Sequence, residues 1–227
     1  MIELYTSEGC DSCPPADRWL SSLGARGYAP TRVVPIALHV DYWDYIGWKD
    51  PYAKRQFSTR QRKLAELRRA TTVYTPQVIV QGQDFRRWSS AAELDAALRK
   101  IEAQPARANI GLALVGSVPG ALEVDLSVEV ARPADRANVA VYLASFENKL
   151  VSEVRAGENR GKTLPHDYVV FEWQGPIPLG EGGKVSARYR LPLLPKAIPE
   201  NSGVVAFVQD RRTSDVLQAL MLPVCAG

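Results

Sequence analysis

Ile2 to Thr6 is a largely apolar run of strand length, and Ala16, Trp19, Leu20 and Leu23 then recur at helical spacing. The chain therefore opens with a strand and an amphipathic helix over residues 14 to 25. Val33 to Val40 (VVPIALHV) is mostly apolar, the pattern of a parallel strand covered on both faces. Pro76 opens a further strand rich in β-branched residues, a place where proline is tolerated because it leads the strand rather than interrupting it. Ser90-Ala91-Ala92-Glu93 is a capping-box pattern, and Leu94, Leu98 and Ile101 share the stripe that follows. Strand, helix, strand, strand and helix make a minimal α/β core in roughly the first hundred residues.

Residues 41 to 72 lie outside that minimum and read as a helical insertion. Asp50 is expected to be the N-cap of its helix, with Pro51 at the first helical position. The helix has a narrow apolar stripe (Ala53, Phe57, Leu64, Leu67), and its remainder is basic: Lys54, Arg55, Arg60, Arg62, Lys63, Arg68 and Arg69. Those charges read as a solvated face, with a surface for an acidic partner as the alternative. Tyr42, Trp43, Tyr45 and Trp48 read as packing for the insertion rather than as a recognition platform.

From about Pro105 the period changes to two. Leu122, Val124, Leu126, Val128 and Val130 alternate with Glu123, Asp125, Ser127 and Glu129, the signature of a half-buried antiparallel strand. Similar segments follow at 139–146, 168–173, 185–191, 204–209 and 216–222, the last two flanking a polar hairpin loop, Asp210 to Asp215. Repeated short strands without helices predict a β-sandwich. The expected division is residues 1–106 and 107–227, and 227 residues suffice for two cores.

A net charge of +3, with basic residues spread over both parts outside the insertion, does not suggest nucleic-acid binding. No apolar run is long enough to span a bilayer. The first strand starts at Ile2, leaving no room for a signal peptide. The protein is thus expected in the cytoplasm if Met1 is the native start, and outside it if the chain is a mature form. Three cysteines are too few for a disulfide-built scaffold. Cys225 reads as a spectator, with a third redox thiol as the alternative.

Cys10-Asp11-Ser12-Cys13, followed by Pro14-Pro15, stands where the first strand gives way to the first helix. Two intervening residues let both sulfurs meet across a helical turn, and unpaired N–H groups at a helix start stabilise a thiolate. Cys10 is then the nucleophile and Cys13 the resolving thiol of a redox dithiol, with no further cofactor. Its partners are a disulfide-containing protein or a small thiol, and an unidentified electron donor. His39 and Asp41, two apart at the end of the central strand, are candidate proton carriers for Cys13. Equally, His39 is a hydrogen-bonded core histidine and Asp41 caps the next turn. A metal reading uses Cys10, Cys13 and His39 for Cu(I) or Zn(II). A redox-silent docking module is the third. Asp11 opposes thiolate formation and Ser12 adds no positive charge, so a reducing potential of about −200 to −270 mV is expected.

Several motifs together carry a resemblance: residues 3–10 (ELYTSEGC), Cys13 to Asp17 (CPPAD), His39 to Asp44 (HVDYWD), Gly47 to Pro51 (GWKDP), Arg60-Gln61-Arg62, and Tyr74 to Gln77 (YTPQ). A weaker match runs from Gly157 to Leu164. The chain resembles a bacterial family of thioredoxin-like proteins of unknown function, commonly described as secreted. The resemblance implies a thioredoxin-like fold and a periplasmic or secreted location; together with the insertion and the period-two strands, the expected architecture is an α/β thioredoxin-like domain with a helical insertion, followed by an all-β sandwich-like domain. The resemblance also implies that the Thr75-Pro76 bond is cis and faces the dithiol, with Thr75 and Pro76 holding substrate backbone. It implies no activity.

Overall fold

Ile2–Thr6 (β1) is buried at all five positions, as a strand covered on both faces must be. In the computed structural model, which describes residues 1–224, it is followed by Pro14–Ser22 (α1), Pro35–His39 (β2), Arg55–Leu67 (α2), Gln77–Val80 (β3), Gln83–Asp84 (β4) and Ala91–Glu102 (α3). Strands then follow at Asn109–Val118 (β5), Ala121–Glu129 (β6), Val139–Glu147 (β7), Leu150–Glu153 (β8), Thr163–His166 (β9), Val169–Ile177 (β10), Lys184–Pro192 (β11), Ser202–Asp210 (β12) and Val216–Pro223 (β13). The chain is mixed α/β. Cys225 lies outside the described residues.

The first compact unit comprises Met1–Ile101 and Asn148–Val170. Its sheet pairs β1 with β2 in parallel, Ile2 opposite Pro35 through Thr6 opposite His39, and β1 with β3 antiparallel. β4 borders β3, and Val169 at the start of β10 pairs with Ala37. Ala16, Trp19 and Leu20 of α1 and Leu94 and Leu98 of α3 join Ile2, Leu4, Val78 and Val80 in the core. The first helix is shorter than the expected 14–25: buried Leu23 keeps helical dihedrals, but its N–H bonds three residues back, to the Leu20 carbonyl, as the helix ends.

The second unit comprises Glu102–Glu147 and the described residues from Phe171 onward. β5, β6 and β11 form one antiparallel sheet, and β12 pairs antiparallel with both β7 and β13. Alternate residues of β6, Leu122 to Val128, share one apolar core with Val141, Leu143, Val204, Ala206 and Val208. This is the pairing that the period-two pattern requires.

The division differs from a single boundary at residue 106. The chain leaves the second unit after Glu147, returns to the first for residues 148–170, and leaves again. The returning segment is the hairpin of β8 and β9, Leu150 opposite His166 through Glu153 opposite Thr163. It stays because Leu150, Tyr168 and Val169 pack on the first unit's core. Alternation along a strand shows that one face is covered but not by which core.

Asp50 does not cap the insertion helix. That helix starts at Arg55 after Lys54 in extended geometry, and the Asp50 carboxylate is engaged elsewhere. The basic face of α2 is also less solvated than expected at one position. Arg60, only 11% exposed, makes two hydrogen bonds at 2.8 and 2.9 Å to the buried carboxylate of Glu3, which also accepts the Tyr5 hydroxyl. Phe57, Ser58, Gln61 and Leu64 are its buried positions.

A fragment ending at residue 106 should therefore be incompletely folded, since it lacks the apolar cover of Leu150, Tyr168 and Val169. It should bind a hydrophobic dye and unfold at lower temperature than the first transition of the whole protein. A sharp transition at an unchanged temperature would show that 148–170 is not part of this unit.

Candidate functional site

The loop from β1 to α1 carries Ser7, Glu8, Gly9 and Cys10. Ser7 shapes it, its hydroxyl accepting the Gly9 N–H at 3.1 Å and its carbonyl the Cys10 N–H at 3.2 Å. Gly9 is closely approached, since a Cβ there would lie 3.1 Å from the Trp43 Cβ. Cys10 and Cys13 form a disulfide at the start of α1, and both are buried, at 1% and 0% exposure. The first two helical positions are Pro14 and Pro15, which have no N–H. The expected supply of free N–H groups at this helix start is accordingly reduced.

A buried cluster of acids and imidazoles is fastened to the cysteine loop through Glu8. His39 Nδ1 stands 2.7 Å from Asp50 Oδ2, both fully buried. The same oxygen accepts the Glu8 N–H at 2.8 Å, and Oδ1 accepts the Tyr52 N–H at 2.9 Å. Glu8 in turn accepts the Trp48 indole N–H at 2.7 Å, and its other oxygen is 3.1 Å from His166 Nε2. The His39 and His166 rings meet edge to face, their centroids 5.0 Å apart, and Tyr52 packs against both. Asp17, one helical turn beyond Cys13, is the third buried carboxyl.

Burial alone would lower the pKa of His39. The Asp50 charge, its hydrogen bond, and the charges of Asp17 and Glu8 overcome this and raise it from 6.5 to about 9. Burial pushes Asp50 upward, but His39 and the Glu8 and Tyr52 amides outweigh it, so its carboxylate lies below the usual range. Burial raises Asp17, opposed by the two imidazoles.

Of the candidate site residues, Cys10, Cys13 and His39 lie in this first unit together with Thr75 and Pro76. The Thr75-Pro76 bond is cis. The Trp43 indole donates to Thr75 Oγ1 at 2.7 Å while the Cβ and carbonyl of the same residue border Gly9, so Trp43 links the proline loop to the cysteine loop. Asp41 opens a 3-10 turn, Asp41–Ile46, and its carboxylate accepts the Ser58 hydroxyl of α2. A side chain two residues along a strand keeps its face only while the strand continues, and β2 ends at His39. Tyr42, Trp43 and Trp48 are tied by hydrogen bonds to Gln61, Thr75 and Glu8, whereas Tyr45 is 82% exposed. For the metal reading, the described residues contain no group of three or more His, Cys, Asp or Glu arranged to hold an ion.

Sequence reading passed over Glu8, Asp17, Asp50 as an ion-pair partner, Glu158, Asn159 and His166. Asn159 is buried and donates to the Glu8 and Cys10 carbonyls at 2.8 and 2.9 Å. The Gly157 to Leu164 motif was the available signal for it, and nothing local reveals that it crosses to the cysteine loop.

Because the folded pKa of His39 lies above its unfolded value, the pair's contribution is complete below about pH 6.5 and is lost as pH rises through about 9. Asp50→Asn should cost about 3 kcal/mol at neutral pH, the scale for removing one partner of a buried ion pair. The penalty should shrink between pH 7 and 10. Thermal unfolding of both proteins across that range measures it, and a constant penalty would show that His39 is not charged in the folded state.

No helix among the described residues is long and apolar enough to cross a membrane. None of the curated proteins compared matches the chain. Among solved structures, a protein from Agrobacterium tumefaciens is similar at 25% identity and a TM-score of 0.71, over 98% of this chain and 92% of that one. HBP35 of Porphyromonas gingivalis is similar in fold at 14% identity and a TM-score of 0.73, over 98% of this chain and 74% of that one. Residues 1–209 match the model of one family, and the chain accordingly belongs to the family described as protein of unknown function (DUF1223).

Proposed function

We propose that the protein is a thiol-disulfide oxidoreductase whose first unit is thioredoxin-like. The observation that carries this reading is the Cys10–Cys13 bond across the turn that starts α1, backed by a buried acid–base cluster. The order β1, CxxC, α1, β2, cis Thr75-Pro76, β3, α3 supports the fold assignment, and the Trp43–Thr75 bond supports Thr75 and Pro76 as the substrate-backbone ledge.

In the reduced form the Cys10 thiolate attacks one sulfur of a substrate disulfide. A Cys10–substrate bond forms, the substrate S–S bond breaks, and one substrate thiolate leaves and takes a proton. Cys13 then loses its proton and attacks Cys10 Sγ, releasing the second substrate thiol and restoring the internal disulfide. Two electrons pass to the substrate, and two small thiols, or one partner dithiol, return them by the reverse exchange and are themselves joined in a disulfide. Asp17, held toward the protonated form by burial and one turn from Cys13, is the better-placed proton acceptor on the helix, in place of Asp41. His39 acts through Asp50, setting the charge of the cluster rather than reaching a sulfur. A disulfide-bonded resting state fits a periplasmic or secreted location, where disulfides persist.

The reduced protein should reduce a protein disulfide, with two electrons per Cys10–Cys13 pair. Cys10→Ser should abolish turnover, and Cys13→Ser should accumulate mixed disulfides visible by mass spectrometry. Loss of neither activity in the two variants would remove the oxidoreductase reading.

A further inference from the structure

The loop Gly157 to Lys162 holds the cysteine turn by its backbone. Asn159 takes the Glu8 and Cys10 carbonyls, Lys162 Nζ steadies the Asn159 amide oxygen at 2.8 Å, and Glu158 Oε2 accepts the Asp11 N–H at 3.1 Å. Asn159 explains the anchoring. The carboxylate of Glu158, exposed and adding a negative charge beside the turn, is not needed for it.

A Cys10 thiolate at this place depends on nearby donors, and they are few. Pro14 and Pro15 have none to give. The N–H groups of Ala16 and Asp17 both go to the Cys13 carbonyl, and that of Cys13 goes to the Cys10 carbonyl. Glu158 occupies the Asp11 N–H. The Ser12 hydroxyl, 3.4 Å from Cys10 Sγ, is the polar group that touches the sulfur. Two carboxylates flank the turn itself, Asp11 within it and Glu158 from the loop, while the Lys162 ammonium is engaged by the Asn159 amide oxygen. Each carboxylate disfavours a thiolate, and a dithiol whose thiolate is disfavoured is the better reductant.

We propose that Glu158 is a positioning residue that sets the direction of exchange. By occupying the Asp11 N–H and adding charge, it disfavours the Cys10 thiolate, so that the dithiol passes its two electrons to substrate disulfides rather than oxidising substrate thiols. The inference rests on the oxidoreductase reading and names its direction: a reductase or isomerase of protein disulfides, re-reduced by a thiol or dithiol donor.

The test is equilibration of the full-length protein with reduced and oxidised glutathione, together with the pH profile of Cys10 alkylation. Glu158→Gln keeps an oxygen for the Asp11 N–H and removes the charge. It should make the protein more oxidising by about fivefold in the exchange constant, about 20 mV at 29.6 mV per decade, and should shift the alkylation profile to lower pH. Glu158→Ala also frees the N–H and should move both further in the same direction. The Glu158→Gln difference should shrink between 10 mM and 1 M salt, because the charge is exposed, while part of the Glu158→Ala difference should persist. Changes below about twofold in both variants, or in the opposite direction, would overturn the inference and leave the oxidoreductase reading standing. A wild-type protein that does not exchange with glutathione at all would overturn both.

Discussion

The carboxylate of Asp50 holds three separate stretches of chain at one point. One oxygen accepts both the His39 imidazole at the end of β2 and the Glu8 amide in the cysteine loop, and the other accepts the Tyr52 amide in the insertion. A buried carboxylate is tolerated only when its lone pairs are met by donors, and here an imidazole and two amides meet them. The cysteine loop has its course because Glu8 is fastened there. Once Glu8 is placed, its side chain collects Trp48 and His166, and the returning hairpin is drawn to the same centre.

Such a cluster is a poor way to gain stability. Buried ion pairs return little beyond what apolar residues of the same volume would, and their concentration in one place raises or lowers pKa values over a small volume. His39 is pushed up to about 9 and Asp17 is pushed up by burial, so groups of different proton affinity lie within one unit as the disulfide does. That arrangement is the physical support for the proposed thiol chemistry at the cysteines.

The cysteine turn is also held from outside the short-range chain. Asn159 lies about a hundred and fifty residues from the carbonyls it binds, and reaches them because residues 148–170 return to the first unit. The double proline at the start of α1 pre-sets the helix geometry while withholding two donors. Rigidity and a donor-poor environment therefore arise together at the same turn.

The residues by themselves determined the local elements. Ile2 to Thr6, the stripe Ala16-Trp19-Leu20, the capping box at Ser90 and the alternation from Leu122 to Val128 each report a burial period that the backbone must obey. They also marked Cys10, Cys13 and Pro76, because the chemistry of those residue types is local. The partners of the acids could not be read the same way. Asp50 has the neighbours of a helix N-cap, with Pro51 beside it, yet the competition for its oxygens was decided by an imidazole at the end of β2 and an amide of the cysteine loop. Asp41 shares a strand-like spacing with His39, yet the strand ends between them. Likewise nothing local in residues 148–170 marks their domain, and only tertiary packing chose the core that Leu150, Tyr168 and Val169 join. Periodicity is a property of neighbours along the chain, whereas ion pairs, clamps and domain membership depend on which distant segments find one another.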